Sequence, residues 1–487
     1  MVGMIVWLCG GGAPVHGAAG PRPEQAPMVK LSQYDRAQFC DLTIGADGRL
    51  HAVFTDQPAY DKPNYLYYRA SNDGGKTWSQ PNNLSDDESG DSASFARLVI
   101  DGKGRIYAVW KYVRRNELLD GPGGTAGGRL TGRCLEAESW SKRMSLGDAK
   151  VPSYSWFAAV DPNGVVHVIW SQMARDAAET QGGYAWYANL VRQTTLDGAT
   201  LGAVKDVIVP KPVLTKQQIE QMKSTGRYPK YEDTVPKRDG LINLRGYVDA
   251  RGTACFVAEH PGIQDGPSSQ QTGKQLVLWN GTQLRPLYSY EKYQTYNNFN
   301  NPPALLVDAL GRQHLIRAPE KSEKPCVRDY AIDGAETGDF INIIIPKNGP
   351  GKITNWQAHQ LSAGKMAVTV AFSEKGGYRP EDLELYISFF DGAGKWSEPV
   401  SITRNQGRKS GFHKETGGGN AIGAVYEYTP RFASVATGKD GRACVLLVTS
   451  EDTIIGLTSP ALTSSGRVVS ATGTGRVDSP AVFFLKL

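Results

Sequence analysis

Cysteine is scarce in this chain of 487 residues: six stand at positions 9, 40, 134, 255, 326 and 444, with no C-x-x-C pair. That scatter argues against a zinc module and against the dense disulfide framework of a small secreted domain. An excess of one charge is lacking too. Lys and Arg number 54 against 49 Asp and Glu, and a net +5 over so large a surface gives only a weak preference for anionic partners. There is no nucleic-acid motif, and no later run reaches the roughly 18 apolar residues of a membrane span. The glycines between Gly121 and Gly128 are not followed by Gly-Lys-Ser or Gly-Lys-Thr, so a phosphate loop is not indicated and a linker is expected. Runs able to hold a helix of three turns are few. What remains, with 55 Gly and 28 Pro, is the composition of many short strands joined by turns, an all-β chain.

Residues 1–20 combine an apolar stretch from Met4 to Cys9 with small residues ending Gly17-Ala18-Ala19. This fits the later parts of a signal peptide but lacks the opening Lys or Arg, so a leader for export or a disordered tail is expected. A secreted or periplasmic location follows from the first reading. Leu8 before Cys9 argues against lipidation, which needs a small residue there.

From residue 28 onward one unit recurs: an apolar run, Asp or a small residue, two residues, Gly, then a second apolar run. Its glycines are Gly48, Gly104, Gly164, Gly252, Gly311, Gly364 and Gly441. Each copy reads as a β-hairpin whose turn needs φ above zero. Strands such as Val165-Val166-His167-Val168-Ile169-Trp170 are apolar on both faces, which suits a sheet packed between two neighbouring sheets. Most intervals match four strands plus connections. The expected fold is a single β-propeller over 28–487, of seven four-stranded blades or six with a stray hairpin, with insertions at about 115–133 and 210–239. A pair of unrelated sandwiches would have no reason to repeat one hairpin at one period. In the second insertion, Thr215-Lys216-Gln217-Gln218 is a capping-box pattern for a short helix before Gly226, either a lid or a surface excursion.

After the first hairpin comes Ser71-Asn72-Asp73-Gly74-Gly75-Lys76-Thr77-Trp78. Ser71 and Asp73 can accept backbone N–H groups in a tight turn, Gly75 permits the reversal, Thr77 completes the pattern, and Trp78 can pack back into the blade. The stretch resembles the Asp box of sialidases and their relatives, and a worn copy runs from Asp391-Gly392-Ala393-Gly394 to Lys395-Trp396. The resemblance implies a sialidase-like propeller, with Asp56 as an acid/base and Tyr428 as a nucleophile activated by Glu259. Where sialidases carry Arg-Ile-Pro, this chain has Gln38-Phe39-Cys40, so the likeness extends to the scaffold but not to the family's first arginine.

In such a fold the glycine turns share one face, and a site is expected on the other, where first strands begin and second strands end. Arg97, Arg245 and Arg431 fall near first-strand starts and suit a carboxylate or sulfate on a sugar. Asp56, Lys111, Arg114, Arg115, Glu259, His260 and Arg317 close second strands. His260 and His413 lie outside the core strands, where an imidazole can neutralise a uronate or move a proton. His51, His167 and His314 recur within second strands and read as packing. Aromatic packing is the competing reading of Tyr428, and a solvated loop that of the acidic run Asp86-Asp87-Glu88 to Asp91, the one stretch suited to a structural calcium ion. No other cofactor is expected.

Three functions compete. The first is an exported, monomeric glycoside hydrolase acting on anionic or complex glycans. The second is a polysaccharide lyase resembling the ulvan-lyase propellers, using His260, His413 and Tyr428. The third is a propeller that binds glycan or protein without chemistry.

Overall fold

The computed structural model describes Val29 to Lys486 apart from residues 35–36, 38, 60–61, 86–90, 114–127, 148–152, 173–189, 209–220, 222–223, 226–240, 261–274, 290–302, 319–325, 334–335, 345–351, 362–363, 374–382, 393, 402–431, 438–442, 452–453, 463–467 and 477–478. Among the described residues are seven sheets of four or five antiparallel strands and a separate two-stranded hairpin, Ile454–Leu462 with Val468–Arg476. Six sheets use consecutive strands. Blade one is Cys40–Ile44, Leu50–Asp56, Tyr65–Ser71 and Asn82–Asn83, and blades two to six open with Ser92–Ile100, Ser153–Val160, Ile242–Val248, Ala304–Val307 and Lys352–Gln360. Blade seven mixes the chain ends: Phe432–Thr437, Ala443–Glu451 and Ser479–Lys486 take Val29–Lys30 as their outermost strand.

The ring follows from strands that are apolar on both faces. In Leu50–Asp56 every residue is buried. Successive side chains alternate between faces, so Leu50, Ala52 and Phe54 pack with Cys444 and Leu446 of blade seven, whereas Val53 packs with Ala108 and Trp110 of blade two. The same division recurs at each interface, and seven apolar clusters tie each blade to the next, closing the ring from blade seven to blade one. Full burial of one such side chain stabilises by about 1.5–3 kcal/mol, so the wedge-shaped interfaces carry the fold.

The turn chemistry explains the repeated spacing. Asp101 Oδ1 accepts the N–H groups of Lys103 and Arg105, both at 2.9 Å, while the Gly104 N–H donates to the Asp101 carbonyl. Asp161, Asp249 and Asp308 do the same two and four residues ahead. Burial alone would raise these three carboxyls, but the N–H donors outweigh it and hold them below the ordinary value. Gly164 shows why glycine follows: its φ is 83°, and a Cβ there would lie 2.6 Å from Gly102 Cα in the neighbouring blade.

In the loop after blade one's third strand, Gly75 N–H donates to Ser71 Oγ at 2.9 Å and Thr77 N–H to Asp73 Oδ1 at 2.9 Å. The Ser71 hydroxyl donates to Asp73 at 2.8 Å, and Trp78 Nε1 donates to the Gly75 carbonyl at 3.1 Å as the indole packs against the first apolar cluster. Hydrogen bonds from Thr77, its hydroxyl foremost, hold the Asp73 carboxyl well below its usual range. In the second such loop, Trp396 Nε1 instead reaches Asp329 of blade five at 2.9 Å.

Two expectations change. Residues 129–133 belong to the third strand of blade two, Arg129–Glu136, where Gly132 pairs with Val109, so they are not part of the insertion. Arg97 and Arg245 lie within their strands rather than at the starts, because β-bulges between Ser94 and Arg97 and between Ile242 and Arg245 extend both strands backward. Most of the second insertion lies outside the described residues; of those described, Thr225 N–H reaches the Gln221 carbonyl at 3.3 Å, the four-residue spacing of a helical hydrogen bond.

Candidate functional site

Every first strand runs toward a glycine turn, so first-strand starts and second-strand ends meet at the opposite end of the ring. There the second strands of blades one to five close on buried polar residues: Asp56, Lys111, Gln172, Glu259 and Arg317, between 0 and 6 % exposed. Buried polar groups at one end of an apolar interface are costly unless partnered. Asp56 accepts the N–H groups of Tyr34 at 2.7 Å and Gln57 at 3.0 Å. Lys111 Nζ donates to the Tyr154 carbonyl of blade three at 3.2 Å, and burial pulls its ammonium down to about 8. Glu259 Oε2 accepts a hydrogen bond from Asn243 Nδ2 at 3.0 Å, and the Arg317 guanidinium lies 4.6 Å from the Tyr330 ring centre. Alternation places Glu259 on the face of blade four that carries Cys255 and Val257, and Arg317 on the face of blade five that carries Leu315, the two faces of one interface.

Deeper in the ring, four inner-strand residues occupy one register, seven positions before the turn glycine: Asp41, Arg97, Arg245 and Ser434. Arg97 Nη1 lies 3.5 Å from Asp41 Oδ1, which also accepts the Ser434 hydroxyl at 2.5 Å; Asp41 Oδ2 accepts the Leu98 N–H at 2.7 Å. Arg245 Nη1 reaches the carbonyls of Leu244 at 3.4 Å and Trp156 at 3.5 Å. Burial, and then the Arg97 charge, pulls Arg245 down to about 9. The same two causes hold His359, on the inner strand of blade six, down to about 3, so its ring is neutral at pH 7 and pairs with the Thr369 hydroxyl at 3.1 Å. Blades two, four and six thus share one electrostatic environment around the axis. Among the described residues, Asp41 is the one carboxylate in contact with either guanidinium.

Of the residues singled out in the sequence, Arg97 and Arg245 come together. Glu259 and Arg317 sit in the neighbouring interface, and Asp56 is enclosed in blade one with both oxygens engaged by backbone. His260 ends the second strand of blade four opposite Gln275. Arg431, Tyr428 and His413 lie outside the described residues. Of the acidic run, Asp91 is described and forms an ion pair with Arg129; among the described residues no group of acidic, His or Cys side chains is arranged to hold a metal ion. His51, His167 and His314 are buried and bonded to Tyr68, Asp161 and Asp329. The five described cysteines are buried thiols. Asp41 and His359 were not anticipated, although counting back from the turn glycine brings Asp41 into line with Arg97 and Arg245. Phe95 and Asn243 carry no local signal: both have φ above zero, at 51° and 56°, without being glycine.

The seven interlocked sheets define the chain as a β-propeller. No family model matches the chain, and no curated protein matches it in sequence. Among solved structures it is similar to an α-L-arabinanase of Penicillium chrysogenum complexed with arabinobiose, at 13% identity and a TM-score of 0.41 over 76% of this chain and 99% of that one. It is also similar to the GH93 α-L-arabinofuranosidase of Fusarium graminearum, at 11% identity and a TM-score of 0.38 over 95% and 98%. An ulvan lyase of polysaccharide lyase family PL25 gives 14% identity and a TM-score of 0.41 over 74% and 79%. Among the described residues no helix is long and apolar enough to cross a membrane.

Proposed function

We propose that the protein is an exported carbohydrate-active propeller that takes the acidic group of a glycan between Arg97 and Arg245 and hydrolyses a neighbouring glycosidic bond. The observation that supports this is a pair of inner-strand guanidinium groups close enough to repel: Arg97, beside Asp41, and Arg245, which among the described residues contacts only backbone carbonyls and is depressed by burial and then by the Arg97 charge. Like charges gathered at such a cost are compensated when an anion arrives. Glu259, oriented by Asn243, is the described carboxylate at the open end suited to move a proton, and Tyr428 completes the reading as the nucleophile whose proton Glu259 takes. Asp56 is left out of the chemistry, since it ties Tyr34 to blade one.

The test is to incubate the protein with sialosides and with uronate polysaccharides while following released reducing sugar and the absorbance of unsaturated product. Hydrolysis releases reducing sugar without that absorbance. Unsaturated product would make the protein a lyase, and neither signal with any anionic glycan would reduce it to a binding propeller.

A further inference from the structure

Two inner-strand residues have left-handed backbone without being glycine, and both stand nine positions before the turn glycine, Phe95 in blade two and Asn243 in blade four. Each sits in a β-bulge at the open end. Asn tolerates that region, whereas for a bulky side chain it is an outlier, and such strain persists where a side chain must be re-aimed. At Asn243 the bulge aims the amide at Glu259. At Phe95 it turns a phenyl group toward solvent, leaving it 45% exposed among otherwise buried inner-strand neighbours such as Ala93 and Ala96. Its ring centre lies 4.4 Å from that of Phe39, which holds the same register in blade one, and 5.0 Å from Lys111 Nζ.

We infer that Phe95, backed by Phe39, is a stacking ledge for a pyranose ring of the glycan, a subsite beside the guanidinium pair. The inference rests on the glycan reading above and specifies how the sugar is held. A pyranose presents a face of C–H groups made partly positive by the adjacent oxygens, which suits the negative face of a phenyl ring. The charge beside the ledge is matched too. Arg97 lies two residues along the same strand and Lys111 beneath, so the sugar that stacks on Phe95 carries its carboxylate or sulfate toward cations. In the next two blades the same register is polar and internally bonded: the Ser155 hydroxyl of blade three accepts the Leu244 N–H, and the Asn243 amide of blade four donates to Glu259.

Full-length protein titrated calorimetrically with tetragalacturonate, with sialyllactose and with sodium sulfate tests this. Phe95→Ala is expected to weaken whichever glycan the wild type binds by about 10-fold and to leave sulfate affinity within about twofold at an unchanged thermal midpoint. Phe95→Trp is expected to stay within about threefold of the wild type for glycan. Glycan binding by Phe95→Ala equal to that of the wild type overturns the ledge and leaves the glycan reading standing. If the wild type binds sulfate but neither glycan, both fall. A joint loss of glycan affinity, sulfate affinity and thermal midpoint in Phe95→Ala also overturns the ledge, by showing the phenyl to be packing.

Discussion

Replacing Arg245 by Met should stabilise the empty protein and cripple its binding. In the folded chain, burial and then the Arg97 charge pull Arg245 from its ordinary value, more than three orders of magnitude in proton affinity higher, down to about 9. At about 1.4 kcal/mol per tenfold change in proton affinity, this sets an upper bound of roughly 5 kcal/mol on the cost of keeping the residue charged at pH 7. Arg245 is only half-buried, so solvent screening reduces that figure, and about 1–3 kcal/mol is the expected gain on substitution. For a chain this long, each kcal/mol moves the thermal midpoint by about 1 °C, so Arg245→Met should melt about 1–3 °C higher. The sign has a pH signature. Because the folded value is depressed, the unfolded chain holds the extra proton above about pH 9, and wild-type stability recovers relative to the Met variant as pH rises through 9. Binding moves the other way: loss of a charge-assisted contact worth about 1.5–3 kcal/mol weakens an anionic glycan roughly 10- to 150-fold. Scanning fluorimetry and calorimetric titration read the two effects. A lower midpoint with unchanged glycan affinity would refute the reasoning and make Arg245 a brace between the Leu244 and Trp156 carbonyls.

His359→Gln should retain more stability than the wild type as pH falls from about 6.5 toward 3: the depressed imidazole stays neutral in the fold while the unfolded chain takes up a proton, and thermal midpoints measured across that window show the difference. Ser71→Ala removes a hydroxyl that accepts the Gly75 N–H and donates to Asp73, and should lower stability to urea by about 1–2 kcal/mol. Glu259→Gln should slow sugar release roughly 100- to 10,000-fold while glycan affinity, measured by titration, stays within a few-fold; wild-type rates in this variant would remove Glu259 from the chemistry.

The blades were legible because their signals are local. Asp161 caps the next turn with backbone bonds two and four residues away, so Asp-x-x-Gly survives as a pattern whatever surrounds it. The Val166–Gln172 strand is buried throughout, which its sequence announces as an apolar run without alternation. The arginine pair was less legible. Arg97 and Arg245 were found as arginines near strand starts, but of the two bulges beside them one stands at Phe95, a residue without turn chemistry, and the other at Asn243, a lone Asn inside a strand pattern. Asp41 matters through Arg97 in the next blade, and His359, in blade six, through the same arginine of blade two, relations that no stretch of sequence carries. Val29 and Lys30 read as nothing in particular, because a two-residue outer strand is defined by its partner.

That partner is almost at the other end of the chain. Val29 pairs with Phe484 and Lys30 with Phe483, so blade seven is completed by residues separated by nearly the whole length of the protein. The ring therefore cannot close until both of these segments have been made. Blades one to six each use consecutive strands, whereas the apolar face of Leu42, Leu50 and Phe54 in blade one waits for Ala436, Cys444 and Leu446 of blade seven. The interval before closure is when the chain is most exposed to aggregation.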